Sequence, residues 1–153
     1  MARYRADVAW TLAEGEDFAA GRYSRAHSLS FDGGVTVPGS ASPHVVGKWA
    51  SAEAVDPEEM LVAALSSCHM LTFLHKARLA GFTVAAYRDA AEGVMEAVGE
   101  GRMAVTRVVL RPQVDYVGAA PDQAARDALH RAAHEECFIA NSVKTEIVIE
   151  DRA

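Results

Sequence analysis

The sequence predicts an α+β fold built on antiparallel sheet, and three observations carry that prediction. The elements run strand-strand-strand, helix, strand-strand, helix, strand; consecutive strands are joined by short glycine turns; and no GxGxxG or P-loop pattern marks a doubly wound parallel sheet. One domain over residues 1–153 is expected. A chain of 153 residues, half of them hydrophobic, buries roughly 70% of its unfolded surface without needing disulfide staples.

The elements follow in order. From Tyr4 to Leu12 the even positions Tyr4, Ala6, Val8, Trp10 and Leu12 are apolar, the period of a half-buried strand. Ala26 to Phe31 alternates again, and Asp32-Gly33-Gly34 reverses the chain into Val35-Thr36-Val37. The Pro-, Gly- and Ser-rich stretch 38–55 is too long for a plain connection. Asp56 then caps a helix with Pro57 in its first turn and Glu59 completing a D-x-x-E pattern, and Gly81 stops it after about Ala80. Two long strands, Phe82 to Met95 and Arg102 to Val114, meet at Gly99-Glu100-Gly101. A second helix opens at Pro121-Asp122 with an alanine-rich inner face (Ala124, Ala125, Ala128, Leu129, Ala132, Ala133) and ends near Cys137; a strand over Lys144 to Glu150 closes the fold.

Fifteen basic against twenty-one acidic residues give a net charge of −6 with no basic stripe, so no nucleic-acid partner is expected. MARYRADVAW carries charges where a signal peptide needs an apolar core, and the longest apolar run, Met60 to Leu74, is broken by Ser66, Ser67 and His69. A cytoplasmic protein that neither leaves the cell nor spans a membrane is the expectation. In that reducing compartment a pair of cysteines points toward redox chemistry rather than a structural disulfide.

Cys68 lies deep inside the first helix. A free cysteine there is by default a small core hydrophobe. Cys137, at the end of the second helix, offers another reading, because two helices packed over one sheet could bring the sulfurs within disulfide reach. To attack, a thiol must ionise, and Cys68 is too far along its helix to use the N-terminal dipole. A cation is therefore sought, and Arg25 shares the parity of Leu29 and Phe31, whereas Arg22 has the opposite parity. Glu58 suits either a bidentate pairing with that arginine or a helix-start role. It stands ten residues before Cys68, about 15 Å along one helix at 1.5 Å per residue, so arginine and glutamate could serve Cys68 only from a second copy of the chain. A competing constellation places His130, His134 and Cys137 at i, i+4 and i+7, which with Cys68 could hold zinc; His69 and His44 are further candidates for the pocket around Cys68.

Together DPEE, then SSCHM with its cysteine ten residues after Glu58, then AHEECFIANSVKTEIVIE resemble the OsmC/Ohr family of thiol-dependent organic hydroperoxide peroxidases over nearly the whole chain. The resemblance implies an intertwined homodimer, with antiparallel sheet wrapped around two central helices and sites at the subunit interface, and no cofactor. It implies that Cys68 is the peroxidatic cysteine, Cys137 the resolving one, and Glu58 the carboxylate that orients an arginine. Gly21-Arg22 imitates the family's G-R-D-G turn, while parity favours Arg25, which is the residue expected. The partners implied are an organic hydroperoxide and an external dithiol reductant of lipoyl type, in oxidative stress defence. Phe138 stands where members usually carry proline, and His69 where they usually carry phenylalanine. The alternative is a metal- or small-molecule-binding stress protein on the same scaffold.

Overall fold

The computed structural model describes residues 1–152, which form two compact units, the first Met1–Met60 and the second from Leu61 onward. The first holds an antiparallel sheet in the order β1 (Ala6–Ala9), β2 (His27–Phe31), β3 (Thr36–Gly39), with Val8 opposite Leu29 and Leu29 opposite Val37. The expected reversal joins β2 to β3: Gly34 takes a φ of 81°, which glycine adopts without strain, and the Phe31 N–H donates to Val35 O at 2.9 Å. The alternation in β1 led us to expect one buried face. All four of its residues are exposed, because within its unit β1 packs against little besides β2.

Stretch 38–55 is ordered by its own hydrogen bonds. It forms a short helix, α1 (Pro43–Val46), and a 3-10 turn at Gly47–Trp49. The fully buried Ser40 hydroxyl accepts from the Ser51 N–H at 2.9 Å, and the Ser40 N–H donates to Val55 O at 3.1 Å. Polar groups that would be costly to bury are thereby paired.

Helix α2 (Pro57–Leu79) starts as its sequence dictates. The Asp56 carboxylate accepts from the Glu59 N–H at 2.8 Å, and the Glu59 carboxylate accepts from the Asp56 N–H at 3.0 Å, a reciprocal capping box. At the other end Gly81, with φ of 86°, lets the Gly81 and Phe82 N–H groups cap Arg78 O and Ala77 O. The buried line of α2 is Leu65, His69, Phe73 and Ala77, four residues apart each time. Phe73 and Ala77 pack with Leu129 and Ala133; Leu65 packs with Val108 and Leu110. No helix among the described residues is long and apolar enough to cross a membrane.

The two long strands of the sequence reading are four: β4 (Thr83–Asp89), β5 (Glu92–Ala97), β6 (Met103–Leu110) and β7 (Pro112–Val117). Asp89 makes the break. Its carboxylate accepts from the Arg111 N–H and from the Ser66 hydroxyl, each at 2.6 Å, so the ladder is interrupted where side chain replaces backbone as acceptor. Pro112, which has no N–H, starts β7. Beyond the break β4 pairs with β7, and β5 with β6 across the expected Gly99-Glu100-Gly101 turn. Helix α3 (Gln123–Glu136), capped by the Asp122 carboxylate, leads to β8 (Glu146–Ile149). This last strand joins β6 in parallel, a departure from an all-antiparallel sheet that the α3 crossover allows. The inner face of α3 also differs from the alanine stripe expected: Leu129, His130 and Ala133 are buried, while Ala124 and Ala128 are exposed.

Candidate functional site

In the second unit the two cysteines meet. Cys68 is half-buried on the fourth turn of α2, and Cys137, 1% exposed, is the C-terminal cap of α3; both are free thiols. Burial first, then a hydrogen bond to Cys68, pushes the Cys137 thiol up to about 11, against an opposing pull from the Ala140 N–H. A thiol so raised keeps its proton and acts as the donor toward Cys68. The chain then turns tightly through Phe138 to Ser142. Within this turn the Ile139 N–H donates to Cys68 Sγ at 3.5 Å and the Ala140 N–H to Cys137 Sγ at 3.4 Å.

Cys68 opens into a pocket of about 550 Å³ walled by Ala64, Leu71, Phe138 and Ile139, with Ser67, His75 and Glu136 toward its polar side. Phe138, in the place of the family's proline, is 80% exposed and forms part of this wall. Met60, Leu61, Met70 and Phe73, near Cys68 along the chain, do not line the pocket; helical geometry turns Phe73 toward the core with Leu129 and Ala133. The backbone donors Ile139 and Ala140 escaped sequence reasoning, since no side-chain type announces an N–H aimed at a sulfur.

Arg25 and Glu58 belong to the first unit. Arg25 is half-buried beside a pocket of about 380 Å³, whose wall includes Trp10, Phe18, Tyr23, His27 and Pro57. Its guanidinium lies 3.5 Å from the Tyr23 ring centroid and donates to Tyr23 O; the Arg25 carbonyl is bonded by His27 Nδ1 at 2.9 Å. Tyr23 itself stacks on Phe18 and meets Trp10 edge-on. Arg22 is exposed and paired with Asp17. Among the described residues no ion pair joins Arg25 to Glu58; the aromatic face occupies the guanidinium instead.

The histidines take other places than the sequence suggested. His69 does not line the cysteine pocket: it is 1% exposed, and its Nε2 is 3.1 Å from Nδ1 of His130. His130 is 4% exposed, stacks on Phe73 and lies 3.8 Å from the Asp151 carboxylate. Burial, then His130 and His134, pulls His69 down to about 4; His130 is lowered too, chiefly by burial. His44 is an exposed residue of α1 in the first unit. Among the described residues no three His, Cys, Asp or Glu side chains are grouped to hold a metal ion, so the zinc constellation is not assembled.

A half-buried thiol beside a buried, proton-retaining one, on an α+β scaffold, defines a two-cysteine protein class. The chain belongs to the OsmC-like family: the family model described as OsmC-like protein matches residues 50–151. The structure is similar to an OsmC-like protein of unknown function from Vibrio cholerae, at 47% identity and a TM-score of 0.95, covering 99% of this chain and 100% of that one. It shares its fold with an organic hydroperoxide resistance protein OsmC from Legionella pneumophila (17% identity, TM-score 0.73, 100% and 98% covered). A further fold neighbour is a putative organic hydroperoxide resistance protein from Vibrio cholerae with captopril bound in one of its active sites (20% identity, TM-score 0.69, 99% and 92% covered). No curated protein matches the chain.

Proposed function

We propose that this protein is a thiol-dependent peroxidase that reduces organic hydroperoxides to alcohols. The observation that carries the reading is the convergence of the Cys68 and Cys137 sulfurs beside an apolar pocket. In the first step the Cys68 thiolate attacks the outer oxygen of ROOH; the O–O bond breaks, the sulfur is oxidised to a sulfenic acid, and RO⁻ takes a proton to leave as alcohol. In the second, the Cys137 thiol displaces water from the sulfenic acid, giving a Cys68–Cys137 disulfide. An external dithiol, of lipoyl type by family analogy, reduces it by exchange. Leu71, Ile139 and Phe138 receive the organic tail, which favours organic peroxides over hydrogen peroxide.

In this reading the protein is a cytoplasmic homodimer active in oxidative stress defence, and Arg25 and Glu58 of a second copy serve Cys68. Large apolar side chains left exposed on one copy support the pairing: Val8 at 65%, Phe18 at 57%, Leu71 at 60% and Leu79 at 61%.

The test is intact mass after one equivalent of cumene hydroperoxide is added to the reduced protein. Wild type is expected to lose two hydrogens as a disulfide, Cys137→Ser to hold a trapped sulfenate, and Cys68→Ser not to react. An unchanged wild-type mass sinks the peroxidase reading. Light scattering checks the assembly, a monomer overturning the cross-chain placement of Arg25.

A further inference from the structure

We infer that the turn following α3 is a backbone cradle for the ionised sulfur of Cys68, with the Ile139 N–H as the stabilising donor and Asn141 as the residue that positions it. The N-terminus of α2 is too remote to help this thiolate, since its dipole acts mainly over the first turn. The turn supplies this stabilisation from within the second unit. The Ile139 N–H donates to Cys68 Sγ at 3.5 Å, and it also pulls the Cys137 thiol down, by less than the Ala140 N–H does. Because it points at the sulfur before any charge develops there, it needs no reorganisation at the moment of attack.

The turn is held shut at several points. Asn141 Nδ2 donates to Glu135 O at 2.9 Å and to Cys137 O at 3.0 Å, and the Asn141 N–H donates to Cys137 O at 3.0 Å. The Ser142 hydroxyl donates to Phe138 O at 2.7 Å. Asn141 thus satisfies carbonyls that the end of α3 leaves open, and in doing so it fixes the backbone of 138–140 that carries both donors.

Resting on the peroxidase reading, the two donors divide the cycle. Ile139 serves Cys68 as nucleophile toward the peroxide. In regeneration the external thiolate attacks Cys68, which faces the pocket, and the S–S bond breaks. Cys137 then leaves as a thiolate beside the Ala140 N–H and takes up a proton; the reductant's second thiol displaces Cys68 and closes its own disulfide.

The test is the pH profile of iodoacetamide alkylation, read at Cys68 by peptide mass. Ile139 has a φ of −71°, within the range of proline, so Ile139→Pro removes the N–H, while Ile139→Ala removes the side chain and keeps the donor. The other titratable side chains at the pocket, His75 and Glu136, are the same in both variants, and Cys137, which the Ile139 N–H also pulls down, is read on its own peptide. A hydrogen bond to a charged sulfur predicts a Cys68 midpoint higher by about one pH unit in Ile139→Pro than in Ile139→Ala. Equal midpoints overturn the inference. Asn141→Ala is expected to raise the midpoint by a smaller amount, and an unmoved one removes Asn141 from its positioning role.

Should the proline variant fail to fold, the wild-type Ile139 amide proton is followed by NMR. It is expected to shift with Cys68 ionisation and to stay still in Cys68→Ser; a wild-type amide indifferent to that ionisation overturns the inference. Alkylation and amide shifts need no peroxide. A protein inert to hydroperoxide but showing the Ile139 effect would therefore count against the peroxidase reading alone.

Discussion

Acid should destabilise this protein through His69, well above the range where carboxylates titrate. The imidazole is 1% exposed on the buried line of α2, hydrogen-bonded to His130 and lying near His134, and burial with those neighbours lowers it from 6.5 to about 4. Between those values the unfolded chain takes up a proton at His69 that the native state refuses. Stability from this group is therefore complete above about pH 7 and falls as pH drops through 6.5 toward 4. The gap corresponds to a loss of about 3 kcal/mol by pH 4, and His130, lowered mainly by burial, adds to it with the same sign. The assay is urea unfolding from pH 7.5 down to 4.5 at one protein concentration, for wild type and His69→Gln. Glutamine keeps a hydrogen-bonding group beside His130 and does not titrate. The variant should be less stable at pH 7.5 yet lose less on acidification, by about 2 kcal/mol. Parallel losses in the two proteins would refute the reasoning.

Other outcomes follow from single contacts. Asp89→Ala leaves the Ser66 hydroxyl and the Arg111 N–H without their acceptor and should cost about 1–3 kcal/mol in urea unfolding. Gly93→Ala places a Cβ 2.6 Å from Val62 Cγ2 of α2, a collision with a side chain packed against the Leu65, Val108 and Leu110 cluster that should cost about 1–3 kcal/mol in the same assay. Asp56→Ala opens the capping box of α2 and should cost about 1 kcal/mol. If the pocket holds the peroxide's organic tail, Phe138→Ala should raise the KM for cumene hydroperoxide up to about tenfold and leave the rate with hydrogen peroxide unchanged. Steady-state kinetics with both substrates check this.

What could be read along the chain is what neighbouring residues decide among themselves. The capping box at Asp56 and Glu59, the stop at Gly81, and the turns at Asp32-Gly33-Gly34 and Gly99-Glu100-Gly101 all lie where the sequence signals put them. Each depends on groups a few residues apart. The meeting of Cys68 with Cys137 was anticipated only as a possibility of two helices on one sheet, and the family motif sharpened it. Tertiary structure decided the rest. The strand break at Asp89 depends on Ser66 and Arg111, each more than twenty residues away, and so breaks a β pattern that reads as continuous. His69 and His130, polar in sequence and core in fact, are buried because each answers the other across 61 positions. Arg25 is half-buried just before β2, and an aromatic ring rather than a carboxylate holds it. The donor to Cys68 is a backbone N–H 71 residues distant, identical in chemistry to nearly every other N–H in the chain. Only the packing that brings the end of α3 against α2 makes it different, and packing is a property of the folded chain as a whole.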